Sequence, residues 1–504
     1  MNLDFASNAD YFFALAPEIL LSIWAMVVLL AGVRKESDSR PPGEGTTLGW
    51  LSLVGLLLAA MANGWLYGVT QDAPGAMITI DGFRLFANWL FILGAGLTIL
   101  VSMSYVGRQR LQSGEFYSLI LLATVGMMVM GGTRNLILLF LALETMSIGA
   151  YVLTAFNRRD RRSAEGGLKY FLLGSFSSGF LLYGIALVWG ATGSVHLPEI
   201  GATVAAGAGL SGLLLAGMAL LLIGFAFKIA AVPFHMWTPD VYEGAPMPAT
   251  AFMAAAVKAA SFVAFVRVFL EAFPALYESW YPVVWWLAAL TMIVANLIAL
   301  SQANIKRMLA YSSVAHGGYL LVALAAASQL ATAGLLFYLL VYTIMNIGAF
   351  AIVMVVSGHS EERLQLDDYS GFGWQQPTLA VLFTIFLLSL AGFPGTGGFM
   401  AKIYLLQGAV DSQLWTLAIL LVLATVVSYY YYLRVAWYMW MRDAPAETTE
   451  GAGYWAPIPV QMVLLLSAGV LLYLGIFPGG LLDGALAGAE GLGLAREPFF
   501  GFLP

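Results

Sequence analysis

From Leu213 to Phe227 no residue carries a charge, and the next position is Lys228. Glu144, Lys169, Lys258 and Lys402 are likewise set inside runs of apolar residues about as long as a bilayer is thick. A charge at the centre of an isolated span costs about 3 kcal/mol on insertion scales. Left unpaired, these groups would offset the insertion gain of several helices, so they must be paired, hydrated or neutral. Burial favours the neutral form of an amine, and an approaching carboxylate favours the charged form. A change in the distance between Glu144 and Lys228 would therefore switch the lysine between holding and releasing a proton, which is the chemistry of a gate. His316, in YSSVAHGGYL with Ser312 and Ser313 one turn away, is of a type that takes up and releases protons near neutral pH. Lys258, His316 and Lys402 would then be the stations that follow. Each residue also has a structural reading. Lys169, early in its helix, can snorkel to the interface; Lys228 and Lys258 can belong to salt bridges; His316 can be a hydrogen-bonded core histidine.

The elements holding these side chains are expected to be broken. KIAAVPFHMW sets Pro233 and His235 just after Lys228, and proline inside a helix removes a backbone hydrogen bond and clashes with the preceding turn. LAGFPGTGGFMAKIY sets Pro394 and four glycines (Gly392, Gly395, Gly397, Gly398) just ahead of Lys402. Unwound backbone is tolerated at membrane depth only where protein or water satisfies it, and paired broken helices in corresponding positions mark transport sites. The segment HMWTPDVYEGAPMP, with Pro239, Pro246, Pro248, Asp240 and Glu243, reads as a tight inter-helix connection, with proton entry as the alternative.

The composition requires a membrane. Of 504 residues, 61% are hydrophobic and 10% charged, against about 25% charged in soluble domains. Runs of about 20 apolar residues give fourteen spans, near 12–33, 47–69, 82–105, 116–132, 135–156, 165–190, 211–236, 248–271, 279–300, 303–327, 330–356, 377–407, 412–441 and 456–477. The stretch 193–212 reads as a loop with at most a short helix. The fold class is all-α polytopic. The second break comes five spans after the first, so spans 4–8 and 9–13 form inverted repeats. The resulting division is 1–115, 116–273, 278–441 and 442–504. Basic residues fall in alternate connections: Arg34, Lys35 and Arg40; Arg108 and Arg110; NRRDRR (157–162); Lys306 and Arg307; Arg363; Arg442. By the positive-inside rule these face the cytoplasm and both termini lie outside. Asp4 and Asp10 replace the basic start of a signal peptide, so no cleavage is expected. Zero cysteines exclude disulfides and iron–sulfur clusters within the chain, and four scattered histidines give no haem or zinc spacing. No nucleotide loop is present, and no nucleic-acid partner is expected. Carrying one charge across the membrane potential requires about 2.3 kcal/mol per 100 mV, so the chain needs a driver.

KIAAVPFHMWTPDVYEGAPMP, LSQANIKRMLAYSSVAHGGYLLVAL and LSLAGFPGTGGFMAKIYLL resemble the antiporter-like subunits of proton-pumping NADH:quinone oxidoreductase, respiratory complex I. Among them the chain is most similar to the subunit N type, because subunit M carries glutamate where Lys402 stands and subunit L extends through a long lateral C-terminal helix. The resemblance implies a fourteen-helix membrane-arm subunit with two inverted five-helix repeats. Glu144, Lys169, Lys228, Lys258, His316 and Lys402 match the family's proton-translocating residues. It departs in the order Ala401, Lys402, Ile403, where the family often has glycine before the lysine and an aromatic after it. The chain itself would hold no cofactor; NADH, FMN, iron–sulfur clusters and quinone would belong to other subunits. Expected partners are the other membrane-arm subunits, notably antiporter-like subunit M and the small subunits K and J, and the lipid of a bacterial inner membrane. A multisubunit cation/proton antiporter, an M- or L-type subunit and a purely structural membrane subunit are the alternatives.

Overall fold

A computed structural model describes residues 2–5, 7–33, 44–71, 75–109, 111–207, 211–358, 363–444 and 456–493. Arg34, Lys35, Arg40 and Arg110, used above for orientation, lie outside the described residues. In chain order the helices are α1 (Asn8–Ala14), α2 (Ala16–Val33), α3 (Glu44–Leu66), α4 (Gly82–Arg108), α5 (Ser113–Gly132), α6 (Leu136–Thr154), α7 (Arg161–Thr192), α8 (Leu197–Ala205), α9 (Gly212–Lys228), α10 (Trp237–Gly244), α11 (Met247–Phe252), α12 (Lys258–Ala272), α13 (Tyr277–Ser301), α14 (Ile305–Ala326), α15 (Gln329–Ser357), α16 (Phe372–Gln375), α17 (Pro377–Ala391), α18 (Gly397–Asp411), α19 (Trp415–Met441), α20 (Ile458–Ile476) and α21 (Gly479–Glu490). A π-helical turn, Met253–Val257, joins α11 to α12. The strands are two residues each, Asn2–Leu3 beside Thr70–Gln71.

Among the described residues, 12 helices are long and apolar enough to cross a membrane, and α9 and α17 are shorter apolar helices. Those two are the first halves of the spans expected to break. The first expected span, 12–33, is itself divided, with α1 ending before Leu15 and α2 starting at Ala16. The 193–212 stretch contains the short helix α8, and the glycine-containing tail after α20 forms α21.

Local chemistry sets the helix starts. Asp81, Asn135, Asp160, Ser211, Asn304 and Ser328 each accept a backbone N–H of the following first turn with their side chain, satisfying donors that a helix leaves open. Two of these caps belong to a recurring device. Asn135 forms an antiparallel bridge with His196, and Asn304 forms one with Gln365, the second pair following the first by the same chain separation at both positions. In each case the asparagine caps a helix and its partner follows the next long helix.

Helix α15 is the centre of the bundle. All its residues except Leu330 and Leu340 are buried, and α4, α11, α14, α17, α18, α20 and α21 pack around it. A helix apolar on every side belongs in such a position. Outer helices show the reverse, with Met26, Leu30, Phe176, Val426 and Leu466 exposed, as lipid-facing or subunit-facing surface requires.

Candidate functional site

Both breaks occur where the prolines and glycines predict them. Helix α9 stops at Lys228, Ala230 has φ 61°, and the Val232–Pro233 bond is cis. The freed groups find partners: Ala231 N–H donates to Ala226 O, Val232 N–H to Thr291 Oγ1 at 2.9 Å, and Trp237 Nε1–H to Phe227 O. The second break separates α17 from α18. Gly392 there has φ 84°, a left-handed conformation that glycine adopts without strain, and a Cβ on Gly398 would collide with the Ser389 carbonyl.

Lys228 is buried and donates to Ser147 Oγ at 2.8 Å and Tyr151 Oη at 3.2 Å. Glu144, Ser147 and Tyr151 share one face of α6 by their i, i+3, i+7 spacing. Glu144 accepts from Ser178 Oγ at 2.5 Å and is half-buried, while Leu141 and Ile148 on either side of it are exposed. It therefore sits at the edge of the chain. The expected gate pair is not a direct ion pair: no bridge within 4 Å joins Glu144 to Lys228, and hydroxyl side chains occupy the positions around them. The rotation of α6 about its axis decides this, and sequence spacing alone does not report it.

Lys258, immediately after the π turn, donates to both Oγ and the backbone carbonyl of Ser313 at 2.5 Å. The neighbouring Ser312 bonds to Tyr432 Oη, which also meets His316 Nε2 at 3.1 Å. On the other edge of the ring, His316 Nδ1 meets Tyr338 Oη at 2.7 Å. A neutral imidazole has one N–H and one lone pair, so one tyrosine accepts from it and the other donates to it. Exchanging these roles moves a proton across the ring. Tyr319 lies between His316 and Lys402, its ring 5.3 Å from the imidazole and 5.0 Å from the Lys402 amine. Lys402 is buried and donates to the carbonyls of Leu390 (3.2 Å) and Ala391 (2.7 Å). Its amine thus closes the C-terminal end of α17, where carbonyls lack helical partners and the helix dipole favours a cation. The hydrogen-bond partners of Lys228 and of Lys258 do not meet.

Lys169 stands apart from this line. It is 41% exposed at one end of the bundle, bonded to Glu165 at 2.8 Å and Asp240 at 3.0 Å. Arg307 joins the same cluster through Asp240 (3.1 Å) and Glu243 (2.6 Å). The segment after the first break thus contains an ordered helix, α10 (Trp237–Gly244), held by ion pairs.

Several buried charges escape a search restricted to mid-span positions. Arg84 pairs with Glu18 at 2.7 Å, both buried. Arg267 grips Asp81 with two bonds of 2.9 Å and Glu271 with one of 2.7 Å, and Arg134 reaches Glu271 at 2.9 Å. Lys306, read above as a loop charge, is fully buried and donates to Ala245 O at 2.7 Å. The i, i+4 spacing of Arg267 and Glu271 was the available signal for the largest of these clusters. Among the described residues no three His, Asp or Glu side chains gather as a metal site.

A family profile described as "NADH:quinone oxidoreductase/Mrp antiporter, TM" matches residues 133–428. "NADH-quinone oxidoreductase subunit N" of Trichlorobacter lovleyi is 48% identical over 93% of this chain and 94% of its own length. The chain belongs to the NADH-quinone oxidoreductase subunit N family. A second subunit N relative, "NADH-quinone oxidoreductase subunit N 1" of Sorangium cellulosum, is 45% identical over 93% of this chain and 96% of its own. A chain of "respiratory complex I from Thermus thermophilus with bound Aureothin" is 34% identical with TM-score 0.77, covering 94% of this chain and 99% of that one. The residues matched by the family profile, 133–428, include Glu144, Lys228, Lys258, His316 and Lys402.

Proposed function

We propose that this chain is the subunit N of a proton-translocating NADH:quinone oxidoreductase. It conducts protons across the membrane while electrons pass from NADH to quinone through centres held by other subunits. One observation carries this reading. Lys228, Lys258 and Lys402 are all buried, and their partners are hydroxyls and backbone carbonyls, with no carboxylate in ion-pair range among the described residues. A structural salt bridge is therefore not what holds them, and a buried amine without a counter-charge is a functional group by default.

The path runs from Glu144 through Ser147 and Tyr151 to Lys228, across water to Lys258, then by Ser313 and Ser312 to Tyr432 and His316, and past Tyr319 to Lys402. Lys169 serves at the end of the bundle, where it holds α10 over the first break. Fourteen spans result when the broken segments 211–236 and 377–407 are each counted once. The repeats are 116–273 and 278–441, flanked by 1–115 and 442–504. The duplicated bridge supports an inverted relation: Asn304 lies at the end occupied by Glu243 and Asp240 (Nδ2 to Glu243 Oε1, 3.5 Å), whereas Asn135 follows Arg134, which pairs with Asp81 and Glu271. Both termini lie outside a bacterial inner membrane. Subunits M, K and J are the neighbours, and FMN, iron–sulfur clusters and quinone are carried elsewhere in the complex.

The test is proton pumping and NADH:quinone turnover in membrane vesicles carrying Lys228→Ala, with assembly checked on the same sample. Assembly with both activities lost together is the expected outcome. Both persisting at the unaltered level would overturn the path.

A further inference from the structure

An open cleft of about 810 Å³ lies between α2, α5, α6 and α7, within the range of about 300–1,000 Å³ typical of ligand pockets. Its chemistry is segregated. Leu119, Leu122, Val152 and Phe171 form apolar walls, with Val152 and Phe171 left 43% and 50% exposed. Arg158 and Arg159 stand exposed at its rim, where α6 has ended and α7 has not begun. Neither arginine pairs with a carboxylate among the described residues. The cleft wall carries one acid, Glu115, so its mouth remains net positive. A second, polar hollow of about 670 Å³ shares Gln109, Asn157 and Arg159 with the first and adds Arg161 and Arg162 together with the acids Asp160 and Glu243.

We propose that this cleft binds one anionic phospholipid, its acyl chain against Leu119, Leu122, Val152 and Phe171 and its phosphate between Arg158 and Arg159. Lipid is the occupant the charges select. Apolar wall and cationic rim are stacked along the helix direction in the order of an amphiphile's tail and head. Guanidinium groups match phosphate oxygens in pairs, and basic pockets between membrane helices at the cytoplasmic side take acidic head groups. A transmembrane helix of another subunit would cover the apolar walls but leave the arginines without counter-charge. The floor of the cleft includes Tyr151, the residue whose hydroxyl accepts from Lys228.

The test uses the intact complex containing this chain, reconstituted in phosphatidylcholine bilayers with a trace of phosphatidylglycerol bearing a photoreactive acyl chain. Phosphatidylcholine with the same chain is the comparison. Peptides from 115–122 and 152–171 are expected to be labelled about thirtyfold more by the anionic probe, the ratio expected of two basic side chains near a membrane surface. Arg158→Gln with Arg159→Gln should bring the two probes to near parity, and Val152→Trp should reduce labelling by both. Equal labelling in the unaltered complex overturns the proposal. So does absence of labelling by either probe, which would assign the cleft to a neighbouring subunit. Displacement of the anionic probe by millimolar inorganic phosphate also overturns it, assigning the arginines to a free anion. The contrast between the two probes is read on the unaltered complex, so it decides the matter even where a variant fails to assemble.

Discussion

Replacing Lys402 separates the role its geometry shows, closing the end of α17, from the one the proposed path gives it, carrying a proton. Its amine donates to the Leu390 and Ala391 carbonyls at 3.2 and 2.7 Å. Lys402→Met removes both bonds. Each buried acceptor left unsatisfied costs about 1–3 kcal/mol, or about 2–6 kcal/mol for the pair. Eliminating a buried amine returns a desolvation term of several kcal/mol, so the two contributions oppose each other at similar size and assembly should survive. Lys402→Arg keeps donors facing the carbonyls but is permanently charged and cannot release a proton. In the cramped space beside Gly392, where even a Cβ would lie 2.8 Å from Lys402 Cδ, the larger group adds an overpacking cost of about 1–3 kcal/mol. Both variants should assemble, with NADH-driven acidification of inverted vesicles slowed at least about tenfold, a barrier increase of about 1.4 kcal/mol. Acidification at the unaltered rate in assembled Lys402→Arg would refute the reasoning, reducing the lysine to a cap.

Arg267→Gln should lower stability by about 3–5 kcal/mol, because Asp81 and Glu271 would remain buried without their main partner; thermal unfolding of the purified complex reads this, and adding Asp81→Asn should recover part of the loss. Partial burial raises the pKa of Asp240, but hydrogen bonds and charge from Lys169 and Arg307 outweigh it and hold the carboxyl below its ordinary value of 3.8. Its contribution to stability is accordingly full above that value and lost as pH falls through the lower folded value, so Asp240→Asn should flatten the acid side of a stability–pH profile. Tyr432→Phe removes the hydroxyl shared by Ser312 and His316. It should cost about 1–3 kcal/mol for two bonds and slow pumping with assembly intact; unchanged pumping would remove Tyr432 from the path.

The broken helices and the line of amines were legible in the sequence because they violate strong rules. Proline in mid-span removes a backbone hydrogen bond and a lysine alone in hydrocarbon is costly, so Pro233, Pro394, Lys228, Lys258 and Lys402 stand out by type and position. Arg84, Arg267 and Lys306 did not stand out, because a charge within a turn or two of a helix end ordinarily reaches water. Here other helices close over those ends and bury them. The π turn before Lys258, which packs against α15 and α4, has no residue signature in MAAAV. The spacing between Glu144 and Lys228 was illegible for a related reason. Which face of α6 meets α9 depends on how both pack against α7, and one helical step of rotation moves a side chain several ångströms.

The two ends of the bundle and its middle are joined in different ways. At one end Lys169, Arg307, Asp240 and Glu243 interlock; at the other, Arg267, Arg134, Asp81 and Glu271 do the same. Between them, at both interruptions, the fixings are hydrogen bonds without an ion pair: Lys228 to Ser147 and Tyr151, Val232 N–H to Thr291, and Lys402 to the Leu390 and Ala391 carbonyls. In mechanical terms this is a beam built in at both supports and hinged at mid-length. On the proposed path, movement at either joint would change the surroundings of the buried amine beside it, Lys228 or Lys402.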